Sequence, residues 1–296
     1  MKAISAAILC VLAIVLVAAS PDFQRMYEIT RNPYMVSIVQ SDGTPYTGSR
    51  YIHKFGETGE VTLADNYDIW ACPGINAGVP DSYPYQSSAF SLYAMSDDEA
   101  DAGKTLRVEG LDANWDRMSV EVTLGVDTTS GGTTAALVGT ASNWIRMFRA
   151  YNNGSTTLVG NVYFDPEATD ATGNGVPDGL TNTQGCIAIA SEQTLLALYT
   201  SADNERTYIV KRCAYGVDTT PGTPGSATIV AQIRTYGGVF RVQDVVGLHA
   251  NGTSGVCIES SIPFYVPPRT DIRARIANAD GLNRVSASFD MVVFTD

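Results

Sequence analysis

The stretch that decides the fold is residues 106–125, LRVEGLDANWDRMSVEVTLG. Two alternating runs of apolar and polar residues, LRVE at 106–109 and SVEVTL at 119–124, flank a polar segment with Gly110, Asp112, Asn114 and Asp116. Alternation with a period of two is typical of a half-buried β-strand, and glycine, asparagine and aspartate favour reversal of the chain. The stretch therefore predicts an antiparallel β-hairpin.

The same pattern of short strand and turn continues along the chain on both sides of this hairpin. Candidate strands recur about every 8–12 residues, a spacing typical of antiparallel sandwiches and jelly rolls. The segment 165–184 interrupts the series and is rich in Asp, Gly, Thr and Pro. We predict an all-β protein with two tandem antiparallel β-sandwich or jelly-roll-like domains, 51–164 and 185–296, joined by an acidic Gly/Pro linker loop at 165–184.

An apolar N-terminal segment, predicted at 1–20, precedes the β-domains. Its uncharged part, AISAAILCVLAIVLVAAS at 3–20, is intermediate between a signal-peptide core and the ~20 residues that span a bilayer. Three interpretations fit: a cleaved secretory signal, a retained anchor in or near a membrane, and a helix buried against partner subunits. We expect it to be retained against lipid or other subunits, because monomers do not tolerate so large an exposed apolar patch. Residues 21–50 form a polar connector arm.

Composition limits the classes of function. The 296 residues carry a formal net charge of −12, which argues against a nucleic-acid partner because nucleic-acid binding needs a basic surface. Such acidity suits a soluble protein displayed on an outer surface. The five cysteines show no zinc-type spacing. Their wide separation favours single buried thiols, with one or two disulfides as the alternative for a protein outside cells.

The sequence contains few of the residues and motifs that are typical of enzyme active sites. The chain has two histidines, His53 and His249, and no recognisable nucleophile, phosphate-binding or metalloprotease motif. A structural role is the favoured interpretation of both histidines. We therefore expect no enzyme activity, no catalytic residue and no organic cofactor. The segment DSYPY at 81–85 is a candidate sugar-stacking patch for a glycan on a host surface, although tyrosines packed on the sandwich are the favoured interpretation.

The best candidate ion site is the loop DPEATDATGNGVPDG at 165–179. Asp170, Asn174 and Asp178 have a spacing similar to that of calcium-binding loops, with Gly175 at the sharp turn. Thr172 stands where a further oxygen ligand is expected, and Thr181 stands where a bidentate Glu normally closes the site. We keep calcium as the one candidate cofactor, and a plain acidic loop as the favoured interpretation.

Several segments carry a family resemblance: YIHKFG at 51–56, DIW at 68–70, KTLRVEGLDANWDRMSVEVTLG at 104–125, WIRMFR at 144–149, DIR at 271–273 and VSASFDMVVF at 285–294. They resemble virion structural proteins predicted for marine bacteriophages and environmental viruses, over roughly residues 49–296. The resemblance implies a subunit exposed on a virus particle, such as a capsid decoration protein or a head fibre. It transfers no functional residue.

Two hypotheses follow for function. The first is a non-enzymatic virion structural protein that acts through self-association, contacts with other capsid subunits and surface display at the virion surface. The alternative is a secreted or membrane-anchored carbohydrate-binding protein of a cell surface, because a signal followed by β-domains is common in that class and fold alone does not decide function. The identity of the mature N-terminus distinguishes them.

Overall fold

The computed structural model describes residues 50–58, 67–76, 78–126, 128, 130–217, 225–280 and 284–295. The predicted apolar segment 1–20, and the connector 21–50 except for its last residue, lie outside the described residues. By internal contacts the chain divides into Met1–Tyr51 and Ile52–Asp296, and the second unit is the body described below.

Sixteen strands make up nearly all the regular structure of the described residues. They are β1 (Arg50–Thr58), β2 (Tyr67–Asp68), β3 (Tyr93–Ser96), β4 (Thr105–Asp112), β5 (Arg117–Thr123), β6 (Ala136–Leu137), β7 (Trp144–Asn152), β8 (Val162–Asp165), β9 (Gly185–Ile187), β10 (Leu198–Thr200), β11 (Glu205–Val217), β12 (Gly225–Thr235), β13 (Arg241–Ala250), β14 (Thr253–Val266), β15 (Thr270–Asp280) and β16 (Arg284–Thr295). One helical turn, α1 (Cys72–Ile75), and the 3-10 turns Glu99–Asp101 and Leu180–Asn182 complete the set. The predicted all-β class with antiparallel sheets is confirmed.

The predicted hairpin is confirmed as β4 and β5, which pair from Thr105↔Thr123 to Leu111↔Arg117. Its turn is closed by Asp112, whose Oδ1 accepts the amides of Asn114 and Asp116 at 2.8 and 2.9 Å. The prediction that Gly110 belongs to the turn is wrong. Gly110 lies within β4, where a Cβ would come 2.1 Å from the Arg146 carbonyl oxygen of β7. Glycine is needed there for the close approach of two strands.

The first sheet pair combines the sheet β6-β3-β8-β9 with the sheet β5-β4-β7. Alternate residues of their strands point inward and form one hydrophobic cluster, which includes Leu106 and Val108 of β4 and Val162 and Phe164 of β8. The two sheets therefore share one core, to which each contributes the apolar side chains of one face.

The second sheet pair combines β1-β16-β11-β14 with β10-β15-β12-β13, the latter extended by β2 beside β15. The largest cluster of buried residues lies between these sheets and includes Phe289 and Met291 of β16 and Ile272 and Ile276 of β15. The same cluster includes Ile145 of β7, so its packing continues into the first pair.

Strand pairing crosses the loop at 165–184 in both directions. The early strand β1 pairs with β16, and β9, which follows the loop, pairs with β8. The boundaries 51–164, 165–184 and 185–296 stay a prediction, and the described body is best treated as two sheet pairs with interleaved strands.

Two disulfides correct the expectation of single buried thiols. Cys72 of α1 bonds to Cys186 of β9, with the two Cα atoms 5.2 Å apart, and Cys213 bonds to Cys257 across β11 and β14 at 4.1 Å. Neither pair could be predicted from the sequence, because the partners are 114 and 44 positions apart and only strand pairing and packing bring them together. Disulfides persist in oxidising surroundings, which agrees with the alternative stated for a protein outside cells.

Candidate functional site

The most distinctive site is a group of charged side chains, six buried and three partly buried, at the contact between the two sheet pairs and next to it on the second pair; we call it the charged joint. Its members are Lys54, Asp68, Arg117, Arg146, Glu205, Arg234, Asp271, Arg273 and Arg275. Charged side chains are rarely buried unless they are paired, so six buried ones in a single group require a structural or functional reason.

Arg146 and Asp271 are at the centre of the charged joint. Arg146 of β7 donates from Nε to Asp271 Oδ1 at 2.9 Å and from Nη2 to Oδ2 at 3.2 Å, and both side chains are almost inaccessible, at 2% and 1% exposure. Thr200 donates its hydroxyl to the same carboxylate at 2.7 Å. This bidentate contact joins the first sheet pair to the second with the fixed geometry of a guanidinium fork.

A second contact across the joint runs from β5 to β11. Arg117 donates from Nε to Glu205 Oε1 at 2.5 Å, and its other end contacts the hydroxyl of Tyr199. Tyr199 donates to Glu205 Oε2 at 2.8 Å. Burial is the largest cause that raises the pKa of Tyr199, so its hydroxyl stays protonated and available as a donor.

Lys54 makes a third contact across the joint, in which the cation belongs to the second sheet pair and the acceptor to the first. It lies on β1 of the second pair and donates to the carbonyl oxygen of Phe148 on β7. Burial, followed by the charge of Arg149, lowers the pKa of Lys54 to about 7. A lysine with this pKa is partly neutral at physiological pH, which lowers the cost of holding it inside the joint.

Aromatic rings separate the arginines of the joint. The Arg234 guanidinium lies 4.5 Å from the ring centroid of Tyr85 and 4.4 Å from that of Phe240, while Arg273 lies 3.7 Å from Phe240. Arg146 lies 5.2 Å from the Tyr85 centroid. Stacking on ring faces stabilises cations whose hydration has been lost.

Asp68 organises the other half of the joint. Its Oδ2 accepts from Arg273 Nη1 at 3.0 Å and from the Tyr83 amide at 2.9 Å, and Oδ1 accepts from Arg275 Nη1 at 3.3 Å. Burial raises the pKa of Asp68, although both arginines act to lower it. The carboxylate is therefore held by directed hydrogen bonds rather than by solvent.

The tyrosines of the candidate sugar-stacking segment face this joint. Tyr83 is 4% exposed and donates its hydroxyl to the Met147 carbonyl at 2.9 Å. Tyr85 packs edge-on against Tyr83, with the ring centroids 4.7 Å apart. Both rings thus serve the contact between sheet pairs, which is the packed arrangement that the sequence analysis favoured.

The structure uses the candidate calcium residues to hold their own loop. Asp170 accepts the amides of Gly173 and Gly175 at 2.8 and 2.6 Å, Asp178 accepts the Ala171 amide, and Asn174 accepts the amide of the residue two positions later. In the described part of the chain, no group of three or more His, Cys, Asp or Glu side chains is arranged to hold a metal ion. Calcium at this loop stays a prediction.

The two histidines are far apart in the topology. His53 on β1 contacts Asp290 of the neighbouring strand β16 and stacks on Phe55 with the centroids 5.7 Å apart. His249 is exposed on β13, in the sheet that does not contain His53, and lies opposite Ser226 of the neighbouring strand β12. The structure therefore does not bring the two histidines together.

Sequence analysis missed the charged joint, although the signal was present. Five members of the joint lie inside segments that carry the family resemblance: Lys54 of YIHKFG, Asp68 of DIW, Arg146 of WIRMFR, and Asp271 and Arg273 of DIR. A charged residue inside an otherwise apolar strand was the available sign of a buried partner.

Comparisons with known proteins add little. No family model matches the chain, and no curated protein matches it. Among solved structures it is similar to the isomalto-dextranase of Arthrobacter globiformis T6 complexed with panose, at 11% identity and a TM-score of 0.22, over 84% of this chain and 35% of that one. This chain therefore spans about a third of that enzyme's length.

Two further similar structures come from infectious bursal disease virus. The Gt strain matches at 9% identity and a TM-score of 0.21, over 90% of this chain and 78% of that one. The VP2 subviral particle matches at 9% identity and a TM-score of 0.16, over 92% and 78%. Likenesses this distant carry no argument about function. Within the described ranges, no helix is long and apolar enough to cross a membrane.

Proposed function

We propose that this chain is a structural subunit exposed at the surface of a virus particle, and that it works by assembly and display rather than by catalysis. The observation that carries the proposal is the charged joint, because the resemblance to virion proteins and the joint depend on the same residues. Lys54, Arg146 and Asp271 belong to the resembling segments and make contacts that cross between the two sheet pairs.

A rigid body of this kind suits a particle exposed to the environment. Arg146 and Asp271 are bidentate and buried, and a fork of this type resists rotation of one sheet pair against the other. The disulfides Cys72–Cys186 and Cys213–Cys257 limit opening further in oxidising surroundings.

The surface of the second sheet pair offers places for subunit contact. The edge strands β13 and β14 expose Val245 (58%) and Ile262 (83%), and Val239 next to β13 is 73% exposed. Apolar side chains on the edge of a sheet are sites at which another chain adds contacts. They support a role in assembly without identifying the partner.

The experiment compares the full chain with a truncated chain that begins at Asp22. Residues 52–296 contain their own hydrophobic clusters, so we expect the truncated chain to fold, with an unfolding midpoint close to that of the full chain. Under the proposal, particles incorporate the full chain with Met1 intact and exclude the truncated chain.

The alternative of a secreted or membrane-anchored carbohydrate-binding protein predicts a different result. The mature chain then starts near residue 20, and mass spectrometry finds no peptide that contains Met1. Full incorporation of the truncated chain contradicts the anchoring role of residues 3–20, while the absence of both chains from particles contradicts the proposed function.

A further inference from the structure

The charged joint contains more positive than negative charge. Arg146 and Arg234 share Asp271, and Arg273 and Arg275 share Asp68. Four guanidinium groups therefore face two carboxylates, an excess of two positive charges in a chain whose net charge is −12. A local excess of buried positive charge is costly unless a further anion compensates it.

Several donors of these arginines are not used within the described residues. Arg234 donates hydrogen bonds from Nε and Nη2 to Asp271, and Arg273 donates from Nε to Gln232 and from Nη1 to Asp68. Arg234 Nη1 and Arg273 Nη2 have no hydrogen bond in the part of the chain described here, and neither do Nε and Nη2 of Arg275. The side chains of Arg234 and Arg275 are 21% and 15% exposed, so solvent reaches them.

The hydroxyl of Tyr85 is a second, independent polar group at this face without a partner in the described part of the chain. Its oxygen is buried and has no hydrogen-bond partner among the described residues. The hydroxyl interacts electrostatically with Asp68, Asp271 and Arg273, which places it within the joint. A buried polar group without a partner costs about 1–3 kcal/mol, so native structures rarely retain one without a reason.

We propose that the face of the charged joint formed by Tyr85, Arg234, Arg273 and Arg275 binds a compact oxyanion. The ligand is a carboxylate, sulfate or phosphate group, which accepts hydrogen bonds from the unused guanidinium N–H groups and from the Tyr85 hydroxyl. The planar fork of arginine matches the paired oxygens of these groups. A long polyanion is disfavoured because the rest of the chain is acidic. This inference does not depend on the proposed function.

The test measures thermal unfolding and calorimetric binding of the full chain with sodium sulfate, sodium phosphate and sodium glucuronate, each against sodium chloride of equal ionic strength. If the anion binds a specific site, the melting temperature rises with anion concentration and then levels off. A general salt effect on stability raises the melting temperature without such a plateau. The oxyanion that binds most tightly separates a free inorganic ion from the carboxylate of an acidic sugar.

Two variants connect the binding to this site. Tyr85→Phe keeps the ring and removes the hydroxyl, so we expect no loss of stability without anion and about a tenfold weaker affinity with it. Arg275→Gln removes two unused donors, and we expect at least about a tenfold loss. Tyr208→Phe is the matched control, because Tyr208 packs against Tyr265 and Phe294 within the sheet β1-β16-β11-β14, which contains none of the proposed site residues.

The outcomes divide clearly. Saturable binding of any of the three oxyanions that is weakened by Tyr85→Phe and Arg275→Gln, and unchanged by Tyr208→Phe, supports the site. The absence of saturable binding with all three probes overturns it, and so does binding that neither variant weakens.

Discussion

Replacement of Arg146 by glutamine tests whether the charged joint holds the two sheet pairs together. The change removes both hydrogen bonds to Asp271 and the bonds from Nη1 to the carbonyl oxygens of Gln86 and Ile145, at 2.6 and 2.7 Å. Asp271, 1% exposed, keeps only Arg234 and Thr200 as side-chain partners. Removal of one partner from a buried pair costs about 3–5 kcal/mol, and we expect Arg146→Gln to lose about that much free energy of unfolding.

The chain offers a matched control in Arg269. It also forms a bidentate contact with a carboxylate, to Asp203 at 2.7 and 2.9 Å, and its guanidinium lies 5.7 Å from the Trp115 ring centroid, compared with 5.5 Å for Arg146. The Arg269–Asp203 pair, however, is 45% and 49% exposed. Exposed pairs contribute about 0–1 kcal/mol, so Arg269→Gln should have a small effect.

The assay is urea unfolding of both variants and of the parent chain, followed by a double-mutant cycle with Asp271→Asn. We expect the midpoint to fall strongly for Arg146→Gln and slightly for Arg269→Gln, with similar slopes, and a coupling of about 1–3 kcal/mol between Arg146 and Asp271. Equal losses for the two arginines, or a coupling near zero, would refute the reasoning that burial makes this contact decisive.

Three further predictions concern a carboxyl, a loop and a disulfide. Burial raises the pKa of Asp165 to about 6, so the folded protein binds this proton more tightly than the unfolded chain. The free energy of unfolding therefore falls as pH rises from about 4 to 6. In urea titrations, Asp165→Asn should raise the free energy of unfolding by about 1–3 kcal/mol at pH 7.5 and by almost nothing at pH 4. A chelator should lower the melting temperature if the loop at 165–179 binds calcium, and an unchanged value leaves the self-bonded acidic loop as its explanation. Replacement of Cys72 and Cys186 by serine should cost about 2–5 kcal/mol in urea unfolding, because the bond closes a loop across 114 positions; an unchanged midpoint contradicts this contribution.

Local pattern predicted the strands well, because alternation is a property of a single segment. The run at 106–109 lies within β4 (Thr105–Asp112), and the run at 119–124 overlaps β5 (Arg117–Thr123). Strand β1 (Arg50–Thr58) was not predicted, since Lys54 occupies a buried position and breaks the expected apolar pattern. A buried cation has no periodic signature, and its partner on another strand is invisible to a local pattern.

The sequence shows single charged residues inside strands, but the pairing of those residues in the charged joint is not predictable from local pattern, for the same reason. Arg146 and Asp271 are 125 positions apart, and only the packing of β7 against the second sheet pair brings them together. The candidate calcium loop shows a second limit of spacing along the chain, because Asp170 has ligand-like spacing and also accepts the amides of Gly173 and Gly175. Spacing along the chain specifies neither the direction of a carboxylate nor the donor that already occupies it.

Immunogold electron microscopy of intact, purified particles tests most directly the proposed display of this chain on a virus particle. The antibody should recognise the consecutive edge strands β13 (Arg241–Ala250) and β14 (Thr253–Val266), which expose Val245 and Ile262. We expect gold labels on the outer surface of intact virus particles, at many positions on each particle. Unlabelled particles, with the protein recovered only from the particle-free fraction, would contradict it.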